Sequence, residues 1–165
     1  MTNDFEIRPA VEADVPVLLS LIRELAQYEK LTHKVVATED KLRRWLFGEQ
    51  RVAHAVIGYR AGEPVAYAVF YATFSTFSGE PGVFLEDIYV EHSHRRKGYG
   101  RAMLRHVARI AQEQGCTTMA WLVLDWNAPA IAFYQSLGAK PAPPEWLAYS
   151  LSGPAFEALA NEGRR

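Results

Sequence analysis

The sequence predicts a mixed α/β fold, an α+β arrangement in which a central, mostly antiparallel sheet carries helices on both faces. Three observations lead there. Apolar residues switch repeatedly between strand-like alternation and helical spacing, in the order β-α-α-β-β-β-α-β-α-β. Three aromatic-rich apolar runs follow one another in mid-chain with short joints between them, the pattern of successive antiparallel strands. Helix and strand signals then alternate to the end. No repeat, linker or low-complexity tract interrupts the pattern, so residues 1–165 read as a single domain.

Phe5 to Pro9 alternate like a short strand. Asp14 is expected to cap a helix in which Val17, Leu18, Leu21, Ile22 and Leu25 share a face while Arg23, Glu24 and Gln27 meet water. Thr38 starts a second helix, with Glu39 and Asp40 in the dipole-favoured first turn and Leu42, Trp45 and Leu46 inward. Ala53 to Tyr59 and Pro64 to Phe74 form a hairpin through Arg60-Ala61-Gly62-Glu63. Ser75 to Gly82 reads as a loop, and Val83 to Val90 as a third strand. After a basic, glycine-containing segment, Met103, Leu104, Val107, Ile110 and Ala111 make the clearest helical stripe, which should stop near Gly115. Thr117 to Leu124 is a strand, Ala128 to Leu137 a helix capped by Asn127 and ended by Gly138, and Trp146 to Leu151 a last strand. The polar tail after Ala160 is expected to fray.

Composition narrows the function. Hydrophobic residues make up 49% of 165 residues, enough for a core that buries roughly 70% of the unfolded chain's surface without staples. The single Cys116 excludes an internal disulfide framework and a cysteine zinc cluster. Basic and acidic side chains number 18 and 19, a balance that argues against nucleic-acid or membrane binding. No apolar run reaches the ~18 residues of a membrane span, and the N-terminus lacks a signal-peptide pattern. Cytoplasmic location is the expectation. His92 and His94 lack a third ligand at suitable spacing, so no metal is expected. Ser93 and Ser136 lack the setting of a nucleophile.

The basic residues are nevertheless concentrated. Arg95, Arg96, Lys97, Arg101, Arg105 and Arg109 hold six of the 18 within 15 positions. Gly98 and Gly100 stand among them, between a strand and a helix. Such a turn exposes unpaired N–H groups where the helix dipole is positive, which suits an anion; a solvated helix face is the plainer reading of a basic run alone. Met103 stands where a dinucleotide fingerprint needs its third glycine, and no glycine-lysine-serine/threonine triplet is present.

What does match is Arg-x-x-Gly-x-Gly at Arg95, Gly98 and Gly100. It resembles the pyrophosphate-binding motif of the GNAT superfamily of acetyl-CoA-dependent N-acetyltransferases. Asn127-Ala128-Pro129-Ala130-Ile131-Ala132-Phe133-Tyr134 is similar to a second segment of that family. Ile7-Arg8-Pro9-Ala10, Glu24 to Glu29, Leu85-Glu86-Asp87 and Trp126-Asn127 resemble the diamine branch, the spermidine/spermine and thialysine N-acetyltransferases. The resemblance runs over nearly the whole chain. It implies a GNAT-like acyl-CoA N-acyltransferase fold, acetyl-CoA as cosubstrate, no metal, a small-molecule amine as acceptor, and a homodimer.

The same resemblance implies cofactor contacts at Ile88, Tyr89, Val90, Arg95, Arg96, Lys97, Gly98, Tyr99, Gly100, Arg101, Asn127, Ala130 and Tyr134, with a bulge that splays the Val83-to-Val90 strand from its neighbour and frees N–H groups near Ile88 to Val90. The chemistry asks for more. An alkyl amine of pKa near ~10.4 is neutral in only about one molecule in 2,500 at pH 7, so an enzyme must bind a cation and remove its proton. Strand alternation puts Glu86 on an apolar face with Phe84, Ile88 and Val90, where desolvation would raise its carboxyl toward a useful base. A partly exposed strand residue or a structural ion pair is the alternative. Asp87 would point to the other face unless a bulge shifts the phase. Tyr134 matches the family's general acid, which protonates the leaving thiolate; an isolated tyrosine at that spacing would read as core. Tyr28, Glu29, Glu86 and Asp125 form an acidic and aromatic set suited to a second ammonium. Glu145, before Trp146, resembles the family's glutamate near the final strand, although Pro141-Ala142-Pro143-Pro144 is shorter and richer in proline than the family pattern. Acetylation of a protein or antibiotic amine, or a coenzyme-A-binding regulatory module without turnover, remain the other readings.

Overall fold

The computed structural model describes residues 4–163. The chain divides into two compact units, Met1–Leu122 and Val123–Arg165. In the first, strands β1 (Phe5–Pro9), β2 (His54–Arg60), β3 (Glu63–Ser75), β4 (Glu80–Val90) and β5 (Thr118–Trp121) build one sheet in chain order. The first four are antiparallel, and β5 lies parallel to β4. Helices α1 (Val15–Tyr28), α2 (Glu39–Leu46) and α3 (Tyr99–Glu113) pack on it. The second unit holds α4 (Ala128–Gln135) and α5 (Gly153–Asn161).

Alternation along the strands explains the two layers. Ala55, Ile57, Tyr67, Val69 and Tyr89 meet Leu18 and Leu21 of α1 and Leu46 of α2 in one buried cluster. Gly58, the next position on β2, turns to the other side. A Cβ there would lie 2.5 Å from the Phe5 ring and 3.1 Å from Met103 Sδ of α3, so only glycine lets that helix settle so close. The Phe5 ring in turn stacks on Tyr99 with centroids 4.0 Å apart.

The turn chemistry follows the sequence. Ala61 and Gly62 both have positive φ, 50° and 84°, the two-residue turn that matches strand twist in a hairpin. Thr38 Oγ1 accepts from the Lys41 N–H and caps α2. Gly115 ends α3 at φ 77°, where its own N–H reaches the Gln112 carbonyl and that of Cys116 the Ala111 carbonyl.

Four expectations need correction. Asp14 does not cap α1 with its side chain. It accepts from Arg8 at 2.8 and 3.0 Å and from the Val11 N–H, because a nearby guanidinium competes better than a helix amide. The loop after Ser75 is shorter than expected, since Ser75 pairs with Glu80 and the ladder continues through Pro81 and Gly82. The strand expected over Thr117 to Leu124 spans only Thr118–Trp121. The strand expected over Trp146 to Leu151 does not form; that segment is irregular and exposed, for alternation without a neighbouring ladder cannot hold a strand. Helix α5 follows instead, with Ser152 extended at its N-cap and Pro154 in its first turn. It continues to Asn161. Of the tail expected to fray, residues 164–165 lie outside the described residues, as do residues 1–3 of the N-terminus.

Candidate active site

The middle of β4 is irregular at one point. Val69 pairs with Asp87 and Phe70 with Leu85, so Glu86 is the extra residue of a β-bulge. The ladder between β4 and β5 ends at Leu85 opposite Trp121, and Glu86 to Val90 run on beyond it. The bulge implied for this strand is therefore present in the first unit.

The bulge exchanges the surroundings of two carboxylates. Glu86 is exposed, not held on an apolar face, because it occupies the bulged position. Its carboxylate helps hold the Tyr71 phenol above its ordinary value, an effect that burial leads. Asp87 takes the desolvated place. It accepts from Tyr67 Oη at 3.0 Å, and burial pushes its carboxyl up to about 6, with smaller contributions from the Glu86 and Glu29 carboxylates and an opposing one from the Tyr67 hydrogen bond. Tyr67, fully buried, is pushed well above the usual phenol range first by burial and then by Asp87. Glu29, just past the end of α1, is also raised by burial. The first unit thus gathers Glu29, Asp87 and Tyr67 near one another on the α1 face of the sheet. Asp87 was the member that strand alternation alone misplaced; the signal was the Glu86-Asp87 pair itself, where one extra residue changes which carboxylate turns inward.

At the end of β4, Tyr89 is buried and donates to Glu24 Oε2 of α1 at 3.3 Å. Burial first, and then the Glu24 carboxylate, push its phenol up to about 12. Ile88 and Val90 are half-buried. Glu24, Gln27, Tyr28, Tyr89, Glu91, His92, Ser93 and Arg95 border an open cleft of about 470 Å³. Glu24 was read from sequence only as a water-facing helix residue; its spacing of one turn from Tyr28 was the available signal.

The glycine segment forms the entry to α3. Gly98 is the N-cap in a left-handed conformation at φ 84°, and no side chain caps the helix. The first backbone bond inside the helix runs from the Ala102 N–H to the Gly98 carbonyl, which leaves the amides of Gly98, Tyr99, Gly100 and Arg101 without an intrahelical partner. Arg96, Lys97 and Arg101 are exposed around them, and Lys97 Nζ donates to the Ser93 carbonyl at 3.1 Å. Uncapped amides, a positive helix end and exposed cationic side chains are a donor set that suits a diphosphate. Arg95 differs from its neighbours: it is half-buried, and Nε donates to the Val90 carbonyl at 3.0 Å. His94 Nδ1 lies 2.8 Å from Glu91, so the two histidines of the sequence motif are not turned to one another through that nitrogen.

In the second unit, Asn127 is buried and its Oδ1 accepts from the Ala130 N–H at 3.4 Å, capping α4. Tyr134 is half-buried on that helix, its ring 5.4 Å from Phe133. Asp125 is exposed before the cap, and Glu145 is exposed in the irregular segment ahead of Trp146.

A five-stranded sheet with a bulged fourth strand, followed by a glycine turn into a helix whose first amides are uncapped, frames a site for an anionic ligand. Residues 18–139 match the acetyltransferase (GNAT) family, and the chain belongs to it as an N-acetyltransferase. It is 37% identical to a thialysine N-epsilon-acetyltransferase of Sus scrofa, over 94% of this chain and 97% of that one. It is 28% identical to an L-ornithine N5-acetyltransferase of Arabidopsis thaliana, over 93% of this chain and 86% of the relative. An integron cassette protein from V. cholerae, 24% identical, shares the fold at a TM-score of 0.78 over 95% of this chain and 98% of its own. Among the described residues, no helix is long and apolar enough to cross a membrane.

Proposed function

We propose that this enzyme transfers an acetyl group from acetyl-CoA to a primary amine of a small diamine, polyamine or lysine-like acceptor such as thialysine, directly, without a covalent acyl-enzyme. The observation that carries this reading is the bulge at Glu86, which leaves one carboxylate in water and turns another, Asp87, inward beside Glu29. Carboxylates at two depths suit an acceptor with two cationic groups, one to be deprotonated and one to be held. The thialysine and ornithine specificities in the names of full-length relatives support the same acceptor class.

In this reading the amides of Gly98, Tyr99, Gly100 and Arg101, with Arg96 and Lys97, hold the pyrophosphate of acetyl-CoA. Backbone groups of Ile88, Tyr89 and Val90 meet the acetyl carbonyl and the pantetheine arm, and their N–H groups stabilise the oxyanion. Asn127 and Ala130 complete the cofactor contacts. Asp87, with Tyr28, Glu29, Asp125 and Glu145, holds the distal ammonium. Glu86 orients the reacting amine and accepts its proton through water. The amine nitrogen bonds to the acetyl carbon, the carbon–sulfur bond breaks, and Tyr134 gives its phenol proton to the departing thiolate. A homodimer belongs to the same proposal; Trp146, Leu147, Tyr149, Phe156 and Leu159 stand exposed in the second unit as apolar surface for it, and light scattering that finds only monomers would contradict it.

The test is free-thiol release from acetyl-CoA across a panel of diamines, polyamines, thialysine, ornithine and lysine. The reading expects release with at least one of them; silence across the panel removes the acceptor assignment. Tyr134→Phe should lower kcat by about 10²-fold or more if its proton is used, and unchanged turnover across pH takes it out of the acid role.

A further inference from the structure

Arg95 opens the glycine motif, yet its side chain turns back toward the sheet. Nε donates to the Val90 carbonyl at 3.0 Å. The guanidinium carbon sits 4.2 Å from the centre of the Tyr28 ring and 5.6 Å from that of Tyr89. Tyr89 is itself held by its hydrogen bond to Glu24. Glu24 and Tyr28 are one turn apart on α1, so the last turn of that helix grips the end of β4 and the start of the glycine loop at two points. A guanidinium can give an N–H to a carbonyl and lie on aromatic rings at once, which an ammonium does poorly. The loop it opens needs such support. Arg96 stands at φ 62° and Gly98 at φ 84°, and a non-glycine residue in the left-handed region persists only where its surroundings hold it.

We propose that Arg95 is a positioning residue, a strut that fixes the phosphate-binding loop against Tyr28 of α1 and Tyr89 of β4. Its guanidinium then serves the cofactor through the shape of the loop and not as a phosphate ligand. Tyr28 thereby belongs to two functions, because Glu29 beside it lines the acceptor side; order in the loop and order at the acceptor end of α1 are mechanically linked. The inference rests on the reading of the loop as the acetyl-CoA pyrophosphate site.

Calorimetric titration of acetyl-CoA into the full-length protein tests it, with wild type, Tyr28→Leu, Tyr28→Phe, Arg95→Lys and the double variant Tyr28→Leu/Arg95→Lys. Tyr28→Phe removes the one group by which Tyr28 could donate to a phosphate and keeps the ring, so a loss seen in Tyr28→Leu and not in Tyr28→Phe isolates the ring's support of Arg95. Tyr28→Leu and Arg95→Lys should each weaken binding about fivefold to tenfold. Tyr28→Phe, which keeps the ring, should stay within about twofold, and the double variant should be no weaker than the poorer single one. In turnover, Arg95→Lys should raise KM for acetyl-CoA while kcat at saturation is kept, a split that general loss of structure does not produce. Wild-type affinity in Tyr28→Leu, or effects that multiply in the double variant, overturn the strut. If Tyr28→Leu does not fold, Arg95→Lys alone decides, and wild-type affinity there overturns it. A wild-type protein that fails to bind acetyl-CoA refutes the functional reading itself, whereas a binding wild type with unaffected variants refutes only the strut.

Discussion

Two aspartates show how one residue type is driven in opposite directions by its neighbours. Arg8 holds the Asp14 carboxyl below its ordinary value through a paired hydrogen bond, against a burial contribution that pulls the other way. A carboxyl depressed in the folded state contributes stability above its unfolded pKa and loses it as pH falls through the folded value. Asp14→Asn should therefore lower the urea midpoint near pH 7, a deficit that shrinks as pH falls below the ordinary carboxylate range, measured by fluorescence; a deficit that does not change with pH places the effect elsewhere. Asp87, raised to about 6 by burial, has the reverse sign: its contribution to stability is present below the unfolded value and lost as pH rises through about 6. Its effect on activity runs the other way, because only the carboxylate holds a cation. Glu29, Glu86 and Tyr67 face it. One pH unit below its pKa, kcat/KM for a dicationic acceptor should be about tenfold lower than amine ionisation alone gives, and Asp87→Asn should remove that limb. A limb that survives the substitution belongs to another group. Sequence alternation put Glu86 on the apolar face and Asp87 on the opposite one unless a bulge shifted the phase, and the single bulged residue reverses that assignment.

At the scale of elements, the parts that local chemistry dictates were legible. The hairpin at Ala61-Gly62, the cap at Thr38, the stripe of α3 and its stop at Gly115 all follow from residue types at fixed offsets. What was not legible depends on a partner elsewhere in the chain. The segment Trp146 to Leu151 has the right composition for a strand and, among the described residues of its unit, no ladder to join, while α5 was hidden because Gly153 separates its start signals, Ser152 and Pro154. The loop into α3 is the element whose geometry most directly bears on cofactor binding. Gly98→Ala forces a side chain into φ 84°, although nothing lies within 4 Å of the added Cβ, so the cost is conformational and not steric crowding. It should destabilise the protein by about 1 kcal/mol and weaken acetyl-CoA binding by more than that cost implies, seen by comparing denaturation with calorimetry. Wild-type affinity in this variant contradicts the loop's assignment.

For the whole molecule, the near-zero net charge hides a separation within the first unit: cations crowd the entry to α3, and Glu24, Glu29, Glu86 and Asp87 gather along the end of α1 and β4. That separation is what an enzyme joining an anionic cofactor to a cationic acceptor requires. The fold class was legible because the alternation of periods is a global property, spread over the whole chain. The division into two units was not, since it depends on which elements pack together and not on any break in composition. The central claim, direct transfer of acetyl to a small amine, is met most directly by mass spectrometry of the complete mixture after incubation of the protein with acetyl-CoA and thialysine or a diamine. Direct transfer yields an acetylated terminal amine in amounts equal to the free thiol released, with the protein itself unmodified. Thiol released without an acetylated amine, or acetyl retained on the protein as a competent intermediate, would contradict it.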